Sequence, residues 1–563
     1  MILTMAFIDM LGVASIMPFM AVLTNPNIIE TNFFLRTMFQ TSNIIGINTN
    51  QEFTFLLGIF VFVFLIFSLS FKAVTIYVQT RFVQMREYSI GKKLIEIYLH
   101  QPYTWFLNRN SADLGKTILS ETGNIVNNGL APLFNLIAQS LVTITLIILL
   151  LFINIKLTLI IALVIGGTYV LTFNLFRRFL ERIGKERLIA NEFRFKSISE
   201  AFGASKEVKV SGLEQIFINR FSDSAVTFAK HQASSNIVNI LPRFFIEAIA
   251  FGGMLLLILY IISKSGTFTS AIPIIAVYAF AGYRLIPSIQ QIYFSSGALR
   301  FTSASIDKLY NDLKDLNQPV SNHERSIIPF DKAITLNNIY YNYPNSSRTA
   351  LNNINLTIPA QTTVGLVGAT GCGKTTTVDI ILGLLITQKG TLEVDGKIIT
   401  KKNTRAWQRS IGYVPQNIYL TDDTIAANIA FGIDQKDVSY QLIERAAKIA
   451  NLHEFVNSEL PNQYQTIVGE RGVRLSGGQK QRIGIARALY HNPKVLILDE
   501  ATSALDSETE EAFMNEINKL SKSITIIIIA HRLTTVKNCD IIFKLNKGNL
   551  VSQGTYAELI SGI

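Results

Sequence analysis

Cysteine is nearly absent from the 563 residues. There are two, Cys372 and Cys539. Both fall late in the chain, which excludes a disulfide framework and suits a reducing cytosol. Charge is scarce as well. Asp, Glu, Lys and Arg make up 16%, where a soluble globular chain carries about 25%. The deficit lies in residues 1–330, which hold long apolar runs, while 331–563 read as an ordinary soluble α/β domain. No basic residue precedes the first apolar run, so it lacks the n-region of a cleavable signal peptide. A nucleic-acid-binding charge pattern is missing too. The net charge is +11, but residues 1–330 hold 27 Lys and Arg against 19 Asp and Glu, and 331–563 hold 24 against 21. The basic excess belongs to the apolar half, where a membrane surface accounts for it.

Six apolar segments can be drawn, at 1–23, 53–79, 131–153, 157–177, 242–263 and 270–293. Each can cross a bilayer core of about 30 Å. The last carries Pro273, Arg284 and Pro287. The stretches 80–130 and 178–241 are long, basic and helically periodic, which places them in the cytoplasm. An even number of spans puts the C-terminal half there too. The expected fold is multi-domain. An all-α polytopic membrane domain of six helices spans 1–305, a linker 306–330, and an α/β phosphate-loop ATPase domain 331–563.

Residues 368–375 read GATGCGKT, the pattern G-x-x-x-x-G-K-[ST]. Gly368, Ala369, Thr370, Gly371, Cys372 and Gly373 present backbone N–H groups to phosphate at a helix N-terminus. Lys374 adds charge for the β- and γ-phosphates, Thr375 offers a hydroxyl to Mg²⁺, and Thr376 follows. LSGGQ at 475–479 comes about a hundred residues later, before KVLILDE at 494–500. That strand ends in two carboxylates, Asp499 to hold Mg²⁺ and Glu500 to act as general base on water.

This set resembles the ATP-binding cassette (ABC) proteins. The resemblance implies roles for further residues. Tyr343 stacks on adenine. Gln416, in GYVPQNIYL, contacts Mg²⁺ or the attacking water. His531 contacts the γ-phosphate, and SALD (503–506) lies at a dimer seam. VGERG (468–472) looks like the exporter X-loop. Ser476, Gly477, Gly478 and Gln479 form the signature, which in this family closes over the phosphate loop of a second cassette. The chain has one copy of each motif, so the resemblance implies two chains, most simply a homodimer. Cys372 lies at a position that tolerates small residues, so no catalytic role is assigned to it.

Fused membrane and ATPase parts look like an exporter. By that resemblance 101–116 and 204–215 are coupling regions that touch the ATPase. Related exporters begin with an elbow helix, whereas here the first span opens at Met1. For cargo, IDMLGVASIMPFMAVLTNP, QPYTWFLNRNSADL and KEVKVSGLEQIF resemble the bacterial lipid-linked oligosaccharide flippase group. That implies ATP-driven flipping of a polyprenyl-pyrophosphate glycan in the bacterial inner membrane. Arg284, and Arg243 at the edge of the fifth span, are then candidates to meet the anionic headgroup. Asp9 is a rival, structural partner for Arg284. Two alternatives stay open. One is an exporter of another lipid, a peptide or a drug; the missing N-terminal peptidase domain weighs against a self-maturing peptide exporter. The other is a non-transport ABC ATPase, which the six spans oppose.

Overall fold

The computed structural model describes residues 1–153, 155–265, 272–314, 316, 327–344, 348–501, 507–520, 523–530 and 533–561. The chain forms two compact units. One comprises Met1–Gln101 and Asn108–Pro319, the other Pro102–Leu107 and Val320–Ile563.

The first unit is helical. Its first span is broken into α1 (Ile2–Ala14) and α2 (Ile16–Thr24). Pro18 lacks the N–H that would reach Ala14, so the ladder fails there. Helix α3 (Asn50–Leu99) is 50 residues long, about 75 Å at 1.5 Å per residue. It therefore extends well beyond a bilayer core. It starts at a capping box: Thr49 Oγ1 accepts from Glu52 N at 3.3 Å, and Glu52 Oε2 accepts from Thr49 N at 3.2 Å. It stops just before Pro102, the residue that opens the other unit's first segment. The short helix α4 (Tyr103–Leu107) belongs to that second unit.

Helical structure resumes at Ser111 and runs to Ile153, ending in α5 (Ala131–Ile153). Two π-turns interrupt it, at Thr117–Glu121 and Val126–Leu130. Helix α6 (Ile155–Gly203), the short α7 (Ser205–Ser211), α8 (Glu214–Ser265) and α9 (Ile272–Lys314) complete the unit. Among the described residues, Ile2–Leu23, Asn50–Leu99, Ser111–Ile153 and Thr158–Gly203 are long and apolar enough to cross a membrane. The expected spans 242–263 and 270–293 fall on α8 and α9. The start of the latter, at 270–271, lies outside the described residues.

Many large apolar side chains of α3 face outward, Phe55, Phe62 and Phe60 among them. Lipid is a compatible solvent for them. Polar contacts gather instead at the inner faces. Arg187 Nη2 donates to Glu121 Oε2 and Ser305 Oγ, both at 2.8 Å, and all three residues are buried. Fully buried Lys116 pairs with Asp113 at 2.6 Å and Glu192 at 3.2 Å. These contacts tie the 111–153 stretch to α6 and α9.

The second unit carries two sheets. A four-stranded antiparallel sheet has the order β2-β1-β4-β5, where β1 is Ala333–Tyr341, β2 Leu351–Pro359, β4 Lys389–Val394 and β5 Lys397–Ile398. A six-stranded sheet has the order β10-β9-β3-β8-β7-β6. Its strands are β3 (Thr363–Val367), β6 (Ile411–Val414), β7 (Val495–Asp499), β8 (Thr525–Ala530), β9 (Ile541–Asn546) and β10 (Asn549–Gly554). All neighbours are parallel except the β10–β9 pair. Every residue of β3, β7 and β8 is buried. Their continuous apolar runs are those of parallel strands covered on both faces. The C-terminal ends of β3 and β7 lie on one side of the sheet, two strands apart, where ligands bind in open α/β sheets.

Candidate functional sites in the cassette and the membrane unit

Strand β3 delivers the chain into the phosphate loop. Gly368 has φ +152°, and a Cβ there would come within 2.2 Å of Leu545 O. Gly373, at φ +110°, turns the loop into helix α10 (Lys374–Ile381). Only glycine fits both places. Lys374 is 5% exposed. Its Nζ curls back over the loop, donating to Gly368 O at 2.7 Å and Ala369 O at 3.3 Å, with Cys372 Sγ 4.0 Å away. Thr375 is exposed at the helix start, while Thr376 and Thr377 are buried. Tyr343 Oη lies 3.1 Å from Thr376 Oγ1, and its ring meets Tyr341 edge-on. The aromatic expected over adenine therefore sits beside the helix that bears the phosphate loop.

Strand β7 ends at Asp499, 7% exposed, with Tyr413 Oη 3.4 Å from its Oδ2. Glu500 follows at φ +51°, a left-handed backbone rare outside glycine. Gln416 Nε2 donates to Glu500 Oε2 at 2.8 Å. The expected base and the expected amide are thus direct neighbours. Ser476 caps helix α11 (Gly477–Tyr490) through a capping box. Its Oγ accepts from Gln479 N at 3.2 Å, and its N donates to Gln479 Oε1 at 2.8 Å. Ser476 and Gly477 are exposed and Gly478 half-buried. His531 and 503–506 lie outside the described residues.

Sequence reasoning missed Asp379. It is buried on α10, one turn from Thr375 on the same face, a spacing that was available as a clue. Burial and the neighbouring Asp499 push its carboxyl up to about 6. The same two causes, burial first, raise Tyr413. The nearby donor set of hydroxyl, carboxylate and amide oxygens from Thr375, Asp499 and Gln416 suits a hard cation such as Mg²⁺.

The first unit contains a cavity of about 750 Å³ among α1, α3, α5 and α9. Arg284 lines it, as do Lys72, Gln79, Asn135, Gln139 and Gln291. Asp9, 2% exposed, sits at its edge. Asp9 Oδ1 accepts from Ser68 Oγ at 2.8 Å and from Arg284 Nη1 at 3.2 Å. Lys72 Nζ is 3.8 Å from Asp9 Oδ2. The Asp9–Arg284 pair anticipated as a rival is present, and it lies at the cavity rather than away from it. Arg243 pairs with Glu247 at 2.7 Å, is more than half exposed, and does not line the cavity. Sequence reasoning overlooked Lys72 at the end of an apolar run.

The sequence matches two family models, the ABC transporter transmembrane region over residues 12–281 and the ABC transporter model over 351–503. An ATP-dependent lipid A-core flippase of Albidiferax ferrireducens is 31% identical over 492 residues, 86% of this chain and 82% of that protein.

The chain belongs to the ABC transporters.

It is an exporter-type half-transporter with membrane and ATPase parts in one chain, and it couples ATP hydrolysis to transport. The alpha-hemolysin translocation ATP-binding protein HlyB of Escherichia coli is 44% identical over 248 residues, 44% of this chain and 35% of that one. Cassettes this similar occur in transporters named for different cargo, so the cassette does not carry cargo choice. The structure of a bacterial Atm1-family ABC exporter with ATP bound superposes with a TM-score of 0.80 at 23% identity, over 99% of this chain and 95% of that one. That likeness concerns the fold of this ABC transporter.

Proposed function

We propose that this transporter flips a polyprenyl-pyrophosphate oligosaccharide from the cytoplasmic to the outer leaflet of a bacterial inner membrane, working as a homodimer. The observation that carries the reading is the cavity among α1, α3, α5 and α9 that Lys72 and Arg284 both line. Cations in such a place are costly and mark a path for an anion, and a pyrophosphate headgroup is the anion of a prenyl-linked glycan. Arg284 is the direct candidate for that contact. Arg243 is the weaker one, because it does not line the cavity.

In the cassette, Lys374 and the amides of 368–373 bind the ATP phosphates, and Tyr343 stacks on the base. Thr375, Asp499 and Gln416 hold Mg²⁺, which when bound neutralises phosphate charge. Glu500 takes the proton of the attacking water. Gln416, hydrogen-bonded to Glu500, orients it, and His531 serves the γ-phosphate. Ser476 to Gln479 of each protomer complete the site of the other. Residues 1–305 form the transport domain, 306–330 the link and 331–563 the motor.

A second reading has its own support. The relatives similar over most of the chain are named for lipid A-core flipping, and a phosphorylated saccharolipid would also place an anion near Lys72 and Arg284. Transport in proteoliposomes decides. ATP-dependent flipping of a prenyl-linked oligosaccharide, with none of a saccharolipid, is expected. The converse pattern replaces the first reading with the second.

A further inference from the structure

The cavity holds more than its cations. Four amide side chains line it, Gln79, Asn135, Gln139 and Gln291. Gln79 Nε2 donates to Asn135 Oδ1 at 2.7 Å, which fixes these two against each other. Gln139 and Gln291 have no side-chain hydrogen bond among the described residues, and both are half-buried. Each amide offers two donors and an acceptor. Gln79, Asn135 and Gln291 stand near the ends of the spans 53–79, 131–153 and 270–293, where a headgroup entering the cavity can meet them.

Their positions form a layer. Gln79 is seven residues after Lys72 on α3, and Gln291 is seven after Arg284 on α9. Seven residues are two turns, about 10 Å along each helix. The two helices therefore carry a cation and then an amide in the same order and at the same interval. Asn135 pairs across to Gln79 from α5, which runs the opposite way to α3, so Gln139, one turn further along, stands between that pair and the cations. The amide layer lies on the side of the cations that leads into residues 80–130, the stretch assigned to the cytoplasm. A volume of about 750 Å³ is in the range of a ligand pocket. It has room for a phosphate group and the sugar next to it.

We infer that the cavity recognises a lipid whose phosphate is directly glycosylated: the cations take the phosphate, and Gln139, Gln291 and the Gln79–Asn135 pair take the hydroxyls of the adjoining sugar. An anion alone would meet Lys72 and Arg284 beside Asp9 and leave Gln139 and Gln291 without a polar partner. A polyol satisfies both layers at once. This deepens the proposed function and rests on its premise that a lipid-borne anion enters this cavity.

The test compares lipids on the intact transporter in phosphatidylethanolamine–phosphatidylglycerol liposomes. The readout is the concentration giving half-maximal stimulation of ATPase. Three probes are used: undecaprenyl pyrophosphate, the same lipid carrying one N-acetylglucosamine, and a bis-phosphorylated acylated glucosamine disaccharide. The glycosylated prenyl lipid is expected to act at a concentration at least about tenfold lower than the bare one, since a site built for hydroxyls rejects an analogue without them. The Gln139→Leu/Gln291→Leu variant is expected to lose that difference and keep its response to bare undecaprenyl pyrophosphate. Equal potency of the two prenyl lipids on the wild-type protein overturns the inference and leaves the polyprenyl reading standing. Undiminished discrimination by the double variant overturns the amide assignment. A response to the saccharolipid with silence towards both prenyl lipids supports sugar–phosphate recognition and removes the polyprenyl reading. Silence towards all three overturns both.

Discussion

Two cations in this molecule are held in different ways. Lys374 is curled over neutral carbonyl oxygens of its own loop. Arg284 is held by a full negative charge, Asp9, on another helix. A phosphate arriving at Lys374 replaces neutral partners with a charged one, and charge-assisted hydrogen bonds are about twice as strong. A headgroup phosphate reaching Arg284, as proposed, replaces one anion by another, and the net gain is small. The first arrangement suits capture of a nucleotide. The second suits a cargo that must also leave.

The largest test removes chemistry from the capture side while sparing the cation. Glu500→Gln keeps shape and the Gln416 neighbourhood but loses the base. Turnover is expected to fall by about 10²- to 10⁴-fold with ATP still bound, read by phosphate release and by nucleotide retention on a filter. Phosphate release near the wild-type rate would remove Glu500 from the base role.

Next, mixing Ser476→Arg subunits with Lys374→Ala subunits checks whether the site is shared. Each variant alone has no intact site. Heterodimers have one, so partial ATPase activity is expected in isolated heterodimers. Activity no higher than that of either parent would count against a composite site.

On the membrane side, Arg284→Ala leaves Asp9 with Lys72 as its remaining cation at 3.8 Å. Breaking a buried pair costs about 3–5 kcal/mol. Lower thermal stability and loss of flipping are both expected. Asp9→Asn in the same chain is expected to restore stability but not flipping. Restoration of both would reduce Arg284 to a strut, and the contrast between the two cations would disappear.

The smallest effect concerns Asp379. Its folded-state carboxyl sits at about 6, above the ordinary value of 3.8, through burial and then Asp499. A raised acid favours the folded state below the unfolded pKa. That contribution is lost as pH rises from about 4 to about 6. Asp379→Asn is therefore expected to gain stability relative to the parent across that window, by up to about 3 kcal/mol at neutral pH. Thermal melts of both proteins without Mg²⁺ at pH 4 and pH 7 check this. A constant difference between them would show that Asp379 does not titrate there.

The cassette was legible from sequence because its chemistry is local. The phosphate loop, the Asp499–Glu500 strand end and the signature are each one turn at the edge of one element, and main-chain geometry does much of the work. Even so, Asp379 and Tyr413 escaped, since their importance arises only where α10 lies against β6 and β7. The membrane unit was legible as a pattern of spans and little further. Arg284 stood out as a charge in an apolar run. Lys72 hid at the end of one. The amide layer assembles from three helices remote in sequence, and no single helix shows it. The grouping of Tyr103–Leu107 with the ATPase unit follows from tertiary packing that periodicity does not encode.

The capped state of Ser476 has a directional consequence. A serine hydroxyl both gives and receives, and here its oxygen already receives from Gln479 N. What remains on offer is its proton and one lone pair. Within the proposed dimer, that proton faces a terminal phosphate, whose oxygens only receive. The bond from Gln479 N fixes one side of the oxygen, so the hydroxyl is oriented before a phosphate arrives. Loss of the Gln479 side chain would leave the hydroxyl aimed by Gln479 N and deprive the Ser476 N–H of its partner.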